Sequence, residues 1–129
     1  MKIITASGPV IVRDNKVLLD KSGDDDFWKF CGGKVSESEN LKETAINRAK
    51  EELGIDIRFL DDKPFLMYTP KPGDEKIDVL LVHYLADFEG EIFPGEIVKE
   101  WAWLDIDNLP SDIAPNIIPT LEYFEFIGK

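Results

Sequence analysis

The chain contains one cysteine, Cys31, and one histidine, His83. A lone cysteine cannot close an intramolecular disulfide, so nothing in the sequence calls for an oxidising compartment. Long apolar runs are also missing. No stretch approaches the roughly 18 residues needed to cross a bilayer as a helix. Residues 3–12 are apolar in places, but Thr5, Ser7, Gly8 and Pro9 interrupt them. With one lysine ahead of it and no small-residue cleavage pattern behind, that stretch reads as a strand, not a signal peptide. These absences predict a cytoplasmic protein with no membrane partner. Basic charge is in short supply too: 15 Lys and Arg stand against 26 Asp and Glu, a formal net charge of −11. A field of that sign repels phosphate backbones and argues against a sequence-independent binder of nucleic-acid polymers. Internal repeats, linkers and low-complexity tracts are absent as well.

What is present suits one globular domain spanning residues 1–129, with 43% hydrophobic and 32% charged residues. Residues 2–13 and 16–21 read as two strands joined at Asp14-Asn15, a good short-turn pair. Further strands are expected at 55–60, 65–69, 77–87 and 99–104, with a turn over Pro70-Lys71-Pro72-Gly73-Asp74. The clearest helix covers about 40–53, where Leu41, Ala45, Ala49, Ile46 and Leu53 make an apolar stripe at helical spacing. Both Ser36 with Glu39 and Asn40 with Glu43 have the spacing of helix-start signals. Gly54 falls where a left-handed residue ends such a helix. A second helix is expected over about 113–127, delayed or kinked by Pro119.

Carboxylates are unusually placed at the end of the first helix. Glu51 and Glu52 stand side by side in its last turn, where the helix dipole is already negative. A bound cation would relieve both their repulsion and that conflict. Magnesium suits the role, since it takes oxygen ligands and brings substrate phosphates with it. Exposed helix formers would carry the same sequence. The consecutive aspartates Asp24, Asp25 and Asp26 read as a solvated loop.

The segment GGKVSESENLKETAINRAKEELGI, residues 32–55, resembles the Nudix box over 33–55. With Gly33 as the first glycine, Glu39, Glu51, Glu52, Gly54 and Ile55 fall in register without a gap. The resemblance extends further: Trp28-Lys29-Phe30-Cys31-Gly32-Gly33 is similar to the usual approach to the box, and Glu100-Trp101-Ala102-Trp103-Leu104 with Leu109-Pro110 is similar to the family's late strand and loop. One departure is marked. The box expects Arg-Glu where this chain has Asn47-Arg48, so a three-carboxylate cluster becomes two carboxylates with a cation three and four residues before them.

The resemblance to the Nudix hydrolase family implies an α/β fold in which a mixed β-sheet is sandwiched between helices. It implies a magnesium-dependent hydrolase, with Mn²⁺ as an alternative ion, that cleaves the diphosphate of a nucleoside diphosphate linked to another moiety. Glu51 and Glu52 would be metal ligands, completed by a backbone carbonyl of Gly32 or Gly33. Glu39, Asn47 and Gly54 would support the box. The usual base position is occupied by Arg48, which cannot accept a proton; Glu96 is the replacement candidate and Glu100 the alternative. Arg48 either competes with the metal for the carboxylates or grips a substrate phosphate through its forked donors. Lys21 and Lys29 could meet phosphates as well. A second functional reading follows from Arg48: a catalytically weakened nucleotide-binding or regulatory domain. The expected partner is a nucleotide-type small molecule, and the protein itself a monomer or homodimer.

Other residues read as structural. His83 lies in an apolar strand as a hydrogen-bonded core histidine, and Cys31 as packing. Trp28, Trp101, Trp103 and Tyr68 read as core aromatics or as stacking surfaces for a base. Pro70, fifteen residues after the box, matches a position associated with ADP-ribose-cleaving members of the family.

Overall fold

The computed structural model describes residues 2–71 and 73–128. The strands and α-helices among these residues follow in order: β1 (Lys2–Val10), β2 (Val12–Arg13), β3 (Lys16–Ser22), β4 (Gly33–Lys34), α1 (Leu41–Leu53), β5 (Ile57–Phe59), β6 (Phe65–Lys71), β7 (Asp74–Phe88), β8 (Val98–Asp105) and α2 (Ile117–Tyr123), with one 3-10 turn at Ile106–Asn108. The larger sheet runs β4-β1-β7-β5, with β6 also on β7. Its β1–β7 pair is parallel and its other pairs are antiparallel. The smaller sheet is antiparallel, in the order β2-β3-β8.

The stretch expected as one strand over 2–13 divides at Ile11, because the chain changes sheets there. The hairpin that follows turns at Asp14 and Asn15, both with positive φ (50° and 62°), the backbone that a tight two-residue turn between twisted strands requires. Side-chain alternation along β3 then divides the core. Val17 and Leu19 enter one apolar cluster with Ile117 and Leu121 of α2. Leu18 enters a second with Ala49 and Leu53 of α1. The mixed sheet system is thus sandwiched between the two helices, as the α/β reading expects.

Of the two helix-start signals, Asn40 is the one used. Its side chain accepts from the Glu43 amide at 2.8 Å while the Glu43 carboxylate accepts from the Asn40 amide at 3.0 Å. Ser36 and Glu39 close a turn ahead of the helix instead. Ile46 is not part of the buried stripe, being 38% exposed; Thr44 and Glu52 join Ala45, Ala49 and Leu53 on the inner face. Gly54 caps the helix at φ 67°, its amide bonded to the Lys50 carbonyl at 3.0 Å. A Cβ there would come within 2.6 Å of the Phe93 carbonyl oxygen, so the position excludes side chains twice over.

The second helix is shorter than the expected 113–127. It covers only Ile117–Tyr123, and Pro119 lies inside it. Proline is tolerated there because amides of a first turn have no intrahelical partner to lose. Pro70 sits in the edge strand β6, opposite Asp78 and beside a register shift, the setting in which strands tolerate proline. The expected turn after it includes Pro72, which lies outside the described residues.

Candidate active site

The end of α1, the glycine turn and the strand β3 meet at Glu52. This residue is 4% exposed. Its Oε2 accepts from the Gly32 amide at 3.3 Å and faces the Cys31 Sγ at 3.7 Å. Across from it lies Asp20, which is completely buried. Neither Asp20 carboxylate oxygen has a hydrogen-bond partner. Burial pushes the Glu52 carboxyl up to about 7, with the negative Asp20 adding to the effect. Burial likewise pushes Asp20 up to about 6, although the Lys29 ammonium pulls in the other direction. The Cys31 thiol is held well above its ordinary value by burial and by both carboxylates, and stays protonated.

Glu51 behaves differently. The helix turns it into the open cleft, where its Oε2 lies 2.6 Å from the Arg48 Nη1. The Arg48 chain is folded over Gly33; a Cβ on that glycine would stand 2.9 Å from Arg48 Cδ. Arg48 also comes within 4.0 Å of Glu39. Glu39 is fixed by hydrogen bonds from Asn47, Ser36 and Thr44, which hold its carboxyl below the usual range. Asn47 therefore orients a box carboxylate through an amide hydrogen bond.

Of the residues singled out in the sequence, the structure gathers Glu51, Glu52, Arg48, Lys29, Gly32 and Gly33 around one polar cleft. Lys29 contacts Asp25 at 3.1 Å there. Lys21 is not among them. Alternation along β3 directs it to the α2 side, where it pairs with Asp112 at 3.3 Å and with Glu100 at 3.6 Å and covers the Trp28 ring. Glu100, registered opposite Lys21, shares that face. Glu96 is exposed, in the loop whose Gly95 amide bonds the Glu52 carbonyl at 2.8 Å. Sequence reasoning missed Asp20, and it read Cys31 without its carboxylate neighbours. The signal for Asp20 was available: it follows Leu18 by two in an apolar strand, which is an inward position.

Beside the polar cleft lies an apolar cavity of about 270 Å³, lined in part by Phe27, Val79, Leu81 and Ala114. Lys29, Gly32 and Gly33 belong to both. The cavity wall includes His83, buried against Phe30 and bonded to the Asn116 amide at 2.8 Å. Burial lowers His83 to about 4, so it is neutral, the hydrogen-bonded core histidine expected. Trp28 and Trp103 pack in the core, whereas Trp101 and Tyr68 are exposed.

The glycine turn, the capped helix and its terminal carboxylates lie in a fold matched along nearly its whole length. A model of the NUDIX domain matches residues 2–124. The chain is a Nudix hydrolase. It is 29% identical over 132 residues to a CTP pyrophosphohydrolase from Escherichia coli, covering 96% of this chain and 93% of that one. An ADP-ribose pyrophosphatase from Methanocaldococcus jannaschii is 32% identical over 107 residues, covering 78% of this chain and 61% of that one. Among solved structures, a MutT NUDIX hydrolase from Burkholderia pseudomallei superposes with a TM-score of 0.80 at 25% identity, covering 95% of this chain and 98% of the other. As a Nudix hydrolase the protein acts on acid anhydrides of phosphorus in nucleoside diphosphate-linked substrates, and the family generally uses a divalent metal ion. Among the described residues no helix is long and apolar enough to cross a membrane.

Proposed function

We propose that this Nudix hydrolase cleaves the diphosphate bond of a nucleoside diphosphate linked to another moiety, with Mg²⁺ as its ion and Mn²⁺ able to replace it. One observation carries the reading: the apolar cavity and the carboxylate cleft share the wall formed by Lys29, Gly32 and Gly33. A base and sugar seated in the cavity would reach across that wall with their phosphates. The two relatives from Escherichia coli and Methanocaldococcus jannaschii are named for cleaving CTP and ADP-ribose, each a nucleotide with a phosphoanhydride. Both substrates have the apolar-then-anionic layout that the paired cavities fit.

The donor set suits the ion. Glu51, Glu52 and a carbonyl of Gly32 or Gly33 are hard oxygen ligands, and the carboxylates sit where the helix end disfavours negative charge. When bound, Mg²⁺ neutralises phosphate charge and lowers the pKa of a coordinated water. The chain's own groups account for the remainder. Lys29 donates to non-bridging phosphate oxygens. Arg48, anchored on Glu51, turns its remaining guanidinium N–H groups to the same phosphates. Glu96 accepts the proton of the attacking water as the new P–O bond forms. The bridging P–O bond breaks and its electron pair leaves with the departing phosphate.

The test is a screen of nucleoside triphosphates, nucleotide sugars, ADP-ribose and dinucleoside polyphosphates with Mg²⁺. At least one class should yield a nucleotide and a second phosphorylated product. Failure on all four by a protein that still binds Mn²⁺ would contradict the reading.

A further inference from the structure

Asp20 sits at a position where an apolar residue would satisfy the fold. It faces the same side of β3 as Leu18, which packs into the α1 cluster. It has no exposed surface, and both its oxygens lack hydrogen-bond partners. A buried carboxylate in that condition is strongly disfavoured unless something positive meets it. No arginine or lysine forms an ion pair with Asp20 or Glu52 among the described residues. Lys29, held to Asp20 through the backbone, acts on both carboxylates only from a distance, because its ammonium extends to Asp25. The groups that Asp20 does meet are donors. Its carboxylate, the Glu52 carboxylate and the Cys31 sulfur converge from β3, α1 and the box turn, each offering a ligand atom within 4.8 Å of the others. Position 48, meanwhile, offers a guanidinium committed to Glu51.

We propose that Asp20 is a ligand of the divalent ion, gripping it together with Glu52, so that β3 supplies the carboxylate the box lacks at position 48. The proposal deepens the reading above and rests on it for the ion's role in hydrolysis, though ion binding itself can be measured without substrate. Asp20 lies thirteen positions before the box begins at Gly33, which is why the box alone does not reveal it. The Cys31 thiol gives the site a built-in reporter. A thiophilic ion bound between Asp20 and Glu52 would displace the thiol proton to solvent and bond Sγ.

The experiment titrates the metal-free full chain with Mn²⁺ by calorimetry, comparing the parent with Asp20→Asn and Asp20→Leu. Both variants should lose about tenfold or more in Mn²⁺ affinity. Their melting temperatures without metal should equal or exceed the parent's, and the Mn²⁺-induced rise should vanish. The Leu variant, which extends the apolar stripe, guards against a folding defect in the Asn variant. As a locator, one equivalent of Cd²⁺ should give a thiolate-to-metal ultraviolet band in the parent, absent in Cys31→Ser. Unchanged Mn²⁺ affinity in both Asp20 variants overturns the proposal, as does Cd²⁺ binding without the band. A protein that binds Mn²⁺ through Asp20 yet cleaves no nucleoside diphosphate contradicts the proposed function alone. One that cleaves, with metal affinity indifferent to Asp20, contradicts this inference alone.

Discussion

Arg48 and Glu51 are joined by a 2.6 Å ion pair one turn apart on α1. The pair occupies the face where two carboxylates would otherwise repel. Arg48→Glu should therefore weaken the metal-free fold by a few tenths of a kcal/mol, because like charges three and four residues apart repel. Loss of the packing over Gly33 adds to that. Mn²⁺ should reverse the order, since an ion that binds only the folded state stabilises it by mass action. Melting curves with and without Mn²⁺ test both signs. Turnover should fall in Arg48→Glu despite the tighter metal, because the guanidinium donors proposed for the phosphates are gone; unchanged turnover would contradict that role.

Glu51 and Glu52 differ in surroundings, and their variants should differ accordingly. Glu52→Gln removes the buried carboxylate proposed as a ligand and should cost about tenfold or more in Mn²⁺ affinity. Glu51→Gln should cost less, because Arg48 already competes for that carboxylate. Calorimetric titration of the two variants reads the order directly, and equal affinities to the parent would place the ion elsewhere.

Protonation should link stability to pH. The Glu52 carboxyl rises from 4.5 to about 7 on folding and that of Asp20 from 3.8 to about 6. The folded state then holds more protons than the unfolded state across that window, so stability falls as pH rises from about 4 to about 7 and levels off above it. Urea denaturation of the metal-free protein across this range checks the sign, and Asp20→Asn should flatten the slope.

Much of this architecture is legible in the sequence for local reasons. The Asn40–Glu43 box, the left-handed Gly54 and the Asp14-Asn15 turn each depend on residues within four positions of one another, and each appears as expected. The site is legible only where it lies on α1 and its entry turn. Asp20 meets Glu52 across 32 positions, and only strand alternation hints that it points inward. The same alternation carries Lys21 and Glu100 to the other face. The short α2 was hidden because the Asn116 amide serves His83 and makes no side-chain cap.

At Gly54 two requirements coincide. The left-handed backbone alone makes Gly54→Ala cost about 1 kcal/mol, and contact with the Phe93 carbonyl should raise the loss beyond that. Denaturant unfolding should show the deficit with an unchanged slope; a loss under roughly 0.5 kcal/mol would contradict the cap geometry.

Glu96 and Glu100 separate cleanly. Glu96→Gln should lower kcat about a hundredfold, the lower range for removing a general base. Glu100→Gln, on the Lys21 face, should leave kcat near the parent value. Steady-state rates on one substrate compare them, and the reverse order would move the base to Glu100.

The proposed reaction is attack of water on a nucleoside-linked phosphoanhydride at the carboxylate cleft ending α1. The most direct measurement is turnover of the best substrate in ¹⁸O-labelled water with Mg²⁺, followed by mass analysis of both products, for the parent and Glu52→Gln. One labelled oxygen should appear on a single phosphoryl product, turnover should stop without a divalent ion, and Glu52→Gln should lose about a hundredfold or more. Label outside the phosphoryl groups, or a Glu52→Gln rate equal to the parent's, would contradict it.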